Sequence, residues 1–249
     1  MKFRIEKAST LSNFLEIISK IITEWSSSET GEVRPWYRGQ KRADWSLLPG
    51  EYRYQDINFD ELRSEFMLKS RPLLDHVPVN DWEWYFLMQH YGLPTRLLDW
   101  TVGALIALHF ALCQNTGDYD AAVWILDPWE LNRWNYGVPE LILTPDKQAQ
   151  SYLYPPYVTK KLSPKPIAVI PPYNSSRITV QRGAFTVHGG ISKGIEAQFS
   201  TRLVQIVIPK KSCIQTRRDL RNAGISEFTV FPDLDGLSRD IRFLQIDGC

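Results

Sequence analysis

Residues 101–113, Thr101-Val102-Gly103-Ala104-Leu105-Ile106-Ala107-Leu108-His109-Phe110-Ala111-Leu112-Cys113, decide the class of fold. The run is apolar nearly all round, and a helix of that kind is buried rather than laid on a surface. On its N-terminal side the chain reads mainly as helices. Leu11, Phe14, Leu15, Ile18, Ile21, Ile22 and Trp25 recur at helical spacing, with Ser9 or Thr10 as the N-cap. Asn58 and Asn80 are each followed three residues on by a glutamate, Glu61 and Glu83, so two further helices are expected to start there. The second of them closes at Gly92. One short aromatic strand over 36–40 interrupts this block and runs into a polar turn.

On the C-terminal side the pattern changes. Residues 121–126, 167–170, 177–181, 184–188, 203–208 and 228–231 read as strands, rich in β-branched and aromatic side chains. A Pro- and Tyr-rich stretch over 152–172 reads as a long ordered loop. A helix over 213–222 stops at Gly224, and another starts near Asp235. Helices gathered early and strands late predict an α+β fold, a helical N-terminal block packed on a mostly antiparallel C-terminal sheet. With no internal repeat and no flexible linker, the 249 residues are expected to form a single domain.

Composition narrows the function classes. Hydrophobic residues make up 43% and charged residues 23%, which excludes wholesale disorder. The formal net charge of +1 argues against a general polyanion binder, so nucleic acid is a disfavoured partner. No apolar run is long enough to span a membrane, and the N-terminal residues lack the pattern of a signal peptide. Three scattered cysteines, Cys113, Cys213 and Cys249, do not form a disulfide framework, so a reducing cytoplasm is expected.

Most chemical motifs reduce to simpler readings. His109 and Cys113 share a helix face at i and i+4, but a second pair at ligand spacing is missing, so no metal is expected. The glycine-rich run 188–194 offers backbone amides to an anion, or is only a flexible hairpin. Asp233-Leu234-Asp235-Gly236 resembles the start of a calcium loop without its downstream Glu, and helix capping explains it better. Arg217, Arg218 and Arg221 read as a solvated helix face. Three sets of polar residues in apolar surroundings remain. Arg38 presents a guanidinium at a strand end, either to a phosphate or to a buried carboxylate. Arg96 and Asp99 read mainly as partners that hold a turn. Glu227 stands at the mouth of the strand expected over 228–231, as a surface charge or a catalytic group.

These residues carry a family resemblance. Trp36-Tyr37-Arg38-Gly39-Gln40, the block from Gln89 to Thr101, Gln181-Arg182-Gly183-Ala184-Phe185-Thr186 and the segment from Gly224 to Leu237 resemble the FRG-domain family, named for its aromatic-Arg-Gly motif, over about 30–240. More distantly, the chain is similar to ADP-ribosyltransferases, which place an Arg on an early strand, a hydroxyl residue on a middle strand and a Glu late. That resemblance implies an NAD-utilising enzyme, with NAD as substrate, and a place in bacterial conflict as a toxin or antiphage effector. Arg38 and Gly39 would hold the anionic part of the nucleotide, Tyr91 or Phe185 would stack on nicotinamide, Thr186 would stand in the place of the hydroxyl strand, and Glu227 would be the catalytic carboxylate. The Ser-Thr-Ser string and the Glu-x-Glu or Gln-x-Glu pair of those enzymes are missing here, so the macromolecular acceptor is not implied. Two other readings remain open. A non-enzymatic module would bind a nucleotide or nucleic acid through Arg38, Arg96 and the tryptophans. A nucleotide or glycan hydrolase would pair Glu227 with Asp233 or Asp235.

Overall fold

The computed structural model describes residues 3–27, 33–113, 115, 117–143, 152, 163–170 and 183–247. Helix α1 (Leu11–Ser26) forms as its periodicity predicts, and Thr10 Oγ1 accepts from the Asn13 amide at 3.2 Å. Its buried stripe is Phe14, Ile18, Ile21 and Trp25. The two Asn caps also form, on α2 (Phe59–Ser70) and α3 (Asp81–His90), with the Glu61 and Glu83 amides donating to Asn58 and Asn80.

The described strands make one sheet in the order β1-β8-β4-β2-β3-β7-β6-β5. They are β1 (Arg4–Lys7), β2 (Trp36–Gln40), β3 (Leu97–Thr101), β4 (Ala121–Leu126), β5 (Ile142–Leu143), β6 (Ile167–Ile170), β7 (Gly183–Val187) and β8 (Leu203–Ile208). Pairing is antiparallel except at the two edges, β1 with β8 and β5 with β6. The class is α+β, as expected. The layering differs from expectation, because β2 and β3 from the N-terminal half occupy the middle of the sheet instead of lying in a separate helical block.

Two apolar clusters cover one face. The larger joins α1, α4 (Ala104–Leu112) and α7 (Lys210–Asn222) to β2, β4 and β8. The other sets Trp82, Phe86 and Met88 of α3 against Leu97, Phe185 and Val187. The opposite face carries Trp36, Trp100 and Trp124, covered by Leu131 of α5 (Pro128–Tyr136) and by Ile195 of the short α6 (Ile195–Gln198).

Several sequence expectations are corrected. The apolar helix α4 is shorter than 101–113 because Leu97–Thr101, read as a turn and a helix start, is the central strand β3. The strand expected over 228–231 is instead a one-turn helix, α8 (Glu227–Val230). There the Ser226 amide donates to Thr229 Oγ1 at 2.7 Å, and this reciprocal cap outweighs the β-favouring run Phe-Thr-Val. Asp233 caps α9 (Leu234–Arg242) through the Gly236 amide at 2.7 Å, as the capping reading predicts. The strand expected over 177–181 and most of the expected loop over 152–172 lie outside the described residues.

Helix α4 sits unusually close to β2. A Cβ built at Gly39 would stand 2.0 Å from the Ala107 carbonyl oxygen and 2.6 Å from the Ala111 nitrogen. Both are backbone atoms of a buried helix, so they cannot swing aside as a side-chain tip would. Replacing Gly39 by Ala should therefore destabilise the fold by at least about 2 kcal/mol in chemical denaturation. A change within about 0.5 kcal/mol, the range of an ordinary surface substitution, would show that the contact is not needed.

Candidate functional site

Strand β2 runs alongside β4 over its whole length and β3 runs alongside β7 over its whole length, yet β2 and β3 meet only at Tyr37 and Thr101. Beyond that pair the two halves of the sheet part. A cleft of about 590 Å³ lies there, bounded by β2 and β3, by α3 through Phe86 and Gln89, and by α4 through Phe110 and the C-cap residue Cys113. Gly183 and Phe185 of β7 complete its wall. Phe185 and Phe86 lie with ring centroids 5.0 Å apart, so part of the wall is aromatic.

Where a ladder of backbone hydrogen bonds would have continued, a side chain takes over. Arg38 donates from Nη1 to the Asp99 carbonyl at 2.6 Å and lies 3.7 Å from the Asp99 carboxylate. A backbone acceptor orphaned by the parting of the strands is thereby satisfied. The Asp99 carboxylate also accepts from Gln89 Nε2 at 2.8 Å. Gln89 accepts from Thr95 Oγ1 at 2.5 Å, and Thr95 accepts from the Leu97 amide. This chain of bonds aims a half-exposed carboxylate into the cleft beside a cation. Burial lowers the Arg38 pKa from its ordinary value, opposed by Asp99 and reinforced by Arg53. Arg38 Nε is a buried donor without a hydrogen-bond partner. Arg53, Lys41 and Trp45 also line the cleft.

The expected site residues separate into two groups. Arg38, Gly39 and Phe185 line the cleft together. Tyr91 is 65% exposed and follows α3, between His90 and Gly92, which do line the cleft; Tyr91 itself does not. Thr186 is fully buried on the opposite face of β7, where its hydroxyl accepts from Trp100 Nε1 at 2.9 Å. One residue along a strand reverses the face, so Phe185 and Thr186 do not serve the same ligand.

Arg96 is also fully buried. It donates to the carbonyls of His188, at 3.0 Å, and Tyr152, while its amide donates to Tyr85 Oη at 2.7 Å. Glu51 lies 3.9 Å from its Nε. The expected Arg96–Asp99 pair is therefore replaced by two separate pairings, Arg96 with Glu51 and Asp99 with Arg38. Next to Arg96, burial pushes His188 down to about 3, so that ring is neutral. These contacts make Arg96 a clamp between β3 and segments far away in sequence.

Glu227 does not line the cleft. On α8 it faces His109 of α4 at 3.5 Å and accepts from Arg239 Nε at 3.2 Å. Burial holds the His109 pKa below its ordinary value despite that carboxylate. Asp233 and Asp235 do not line the cleft either, so the carboxylate pair of the hydrolase reading does not converge there. Among the described residues Asp99, which the sequence suggests as a turn partner of Arg96, is the acidic residue that lines it. Its signal was the close spacing of Gln89, Thr95 and Asp99.

Residues 34–120 match the family model of the FRG domain. The chain carries an FRG domain. The matched segment contains β2, α2, α3, β3 and α4, and so supplies every wall of the cleft except the part from β7. Glu227 lies outside it. No curated protein and no solved structure matches the chain. Within the FRG segment the aromatic-Arg-Gly motif has a physical reading, in which Tyr37 pairs the two half-sheets, Arg38 bridges them and Gly39 admits α4.

Replacing Arg96 by Ala removes one of the two arginines paired with the buried Glu51, Arg63 at 3.7 Å being the other, and strips the Tyr152 and His188 carbonyls of their donor. Chemical denaturation should show a loss of about 3–5 kcal/mol. A variant of unchanged stability would return Arg96 to the candidates for ligand contact.

Proposed function

We propose that the cleft of the FRG domain binds a nucleotide, with its phosphate at Arg38 and its ring among the aromatic side chains. The observation that carries this reading is the Arg38 guanidinium. It faces the cleft, keeps a buried Nε–H without a partner, and shares the cleft lining with Arg53 and Lys41. A guanidinium presents forked donors that match phosphate oxygens, and the cation tracks the charge. Phe86, Phe110, Phe185 and Trp45 offer apolar surface for a base or a nicotinamide ring. A volume of about 590 Å³ falls within the range of small-molecule and cofactor sites.

The presence of Asp99 favours an enzymatic form of this reading, with NAD as the substrate. Breaking the bond between nicotinamide and ribose sends the bonding electron pair to nicotinamide and leaves positive charge on the ribose. Water or an acceptor nucleophile then bonds to the ribose carbon and gives up its proton. A carboxylate near that ribose stabilises the transition state more than the ground state, which accelerates the reaction. Asp99 takes this role in place of Glu227, because it faces the cleft and is held by Gln89.

Calorimetric titration with NAD, ADP-ribose and AMP tests the binding claim, and chromatography for free nicotinamide tests turnover. Saturable binding is expected, weakened about 10- to 100-fold in Arg38→Gln. Asp99→Asn should retain binding and lower nicotinamide release by about 10²–10³. Binding without release would identify a non-enzymatic nucleotide module. No saturable binding of any of the three would overturn the proposal.

A further inference from the structure

Three side chains, Cys113 at the border of the nucleotide cleft and two beyond it, converge on one point. His109 lies on α4 and Cys113 one turn further on, at the C-cap of that helix, and α8 brings Glu227 up to them from a distant part of the chain. One ligand atom from each, an imidazole nitrogen, the thiol sulfur and a carboxylate oxygen, all lie within 4.8 Å of one another. His109 Nε2 and Glu227 Oε1 are already 3.5 Å apart. In a tetrahedral zinc site with metal–nitrogen and metal–oxygen bonds of about 2.0 Å and a metal–sulfur bond of about 2.3 Å, neighbouring ligand atoms stand roughly 3.3–3.5 Å apart. Binding would draw the more distant of these atoms together by up to about 1.5 Å.

A second observation is independent of this clustering. His109 is only 4% exposed, and its Nε2 points at the cluster with no hydrogen-bond partner. Leaving a buried imidazole nitrogen unsatisfied is costly, so such an atom calls for a partner. Glu227 is held from behind. Its Oε2 accepts from Arg239 Nε at 3.2 Å, which leaves Oε1 facing His109. Metal-bound carboxylates are commonly oriented by outer partners in this way.

We propose that His109, Cys113 and Glu227 form a binding site for a single divalent cation of the zinc class. One nitrogen, one thiolate and one carboxylate suit a borderline-soft ion better than calcium or magnesium, which prefer oxygen. Binding converts the Cys113 thiol to a thiolate and releases its proton to solvent, while the metal–sulfur bond forms. Three protein ligands leave a fourth tetrahedral position for water, and Cys113 also borders the cleft. The ion would tie α8 to α4, so it would brace the C-terminal segment against the FRG domain. This proposal does not depend on the nucleotide reading.

The test uses the full chain, stripped with a chelator and titrated with Co²⁺ as a spectroscopic substitute. One equivalent should bind, with a thiolate-to-cobalt charge-transfer band in the near ultraviolet, and Zn²⁺ should displace it. Cys113→Ser should abolish the band although Cys213 and Cys249 remain, and His109→Gln and Glu227→Gln should each weaken binding at least tenfold. Should Cys113→Ser not fold, the His109 and Glu227 variants carry the comparison. Failure of the wild-type chain to bind Co²⁺, a band that persists in Cys113→Ser, or unchanged affinity in both other variants would overturn the site.

Discussion

The backbone of α4 occupies the space where residue 39 would have a side chain, and much of the structure depends on that contact. With no Cβ at Gly39, a nearly all-apolar helix can lie directly on β2. Strand β2 is then fixed by α4 on one face and by β4 along one edge, and it needs only a single pairing with β3. The sheet can open beside that pairing without coming apart. The cleft is therefore a consequence of how tightly its neighbours pack.

Two arginines illustrate how position decides role. Arg38 and Arg96 both lie on or beside central strands. Arg38 sits where the strands part, so its guanidinium replaces missing ladder bonds and remains accessible from the cleft. Arg96 lies under the layer formed by Tyr85, Tyr152 and His188, with its hydrogen bonds spent on their backbone and side-chain atoms. Ion pairing differs as well. Asp99 lies beside Arg38 in a half-open site, while Glu51 lies beside Arg96 in a closed one, where desolvation raises the Glu51 pKa against the pull of Arg63 and Arg96.

Local signals in the sequence are reliable guides here and long-range ones are not. The stripe from Phe14 to Trp25 and the caps at Asn58 and Asn80 are short-range patterns, and they form as read. Strand β3 is hard to read because Leu97-Leu98-Asp99-Trp100-Thr101 lacks alternation, its residues on both faces being buried in the middle of the sheet except at Asp99. The residues 227–230 read as a strand from their side chains, whereas a cap two side chains wide makes them a helix. Arg38, Gly39 and Phe185 line one cleft, although Phe185 is far from the other two in sequence. The partnership of Arg38 with Asp99 spans 61 residues, and no periodicity could disclose it. The same limit hid Glu227 behind α4, because only the folded chain shows which face of that helix α8 approaches.

The central claim is that the opening between β2 and β3 is where this protein meets its ligand. Backbone and indole N–H resonances followed by NMR during titration with AMP test it most directly. The account predicts saturable shifts concentrated at Gly39, Gln40, Trp45, Asp99 and Gly183, on both sides of the parted strands. Shifts confined to the opposite face, around Thr186 and Trp124, or to α8 and α9 would contradict it.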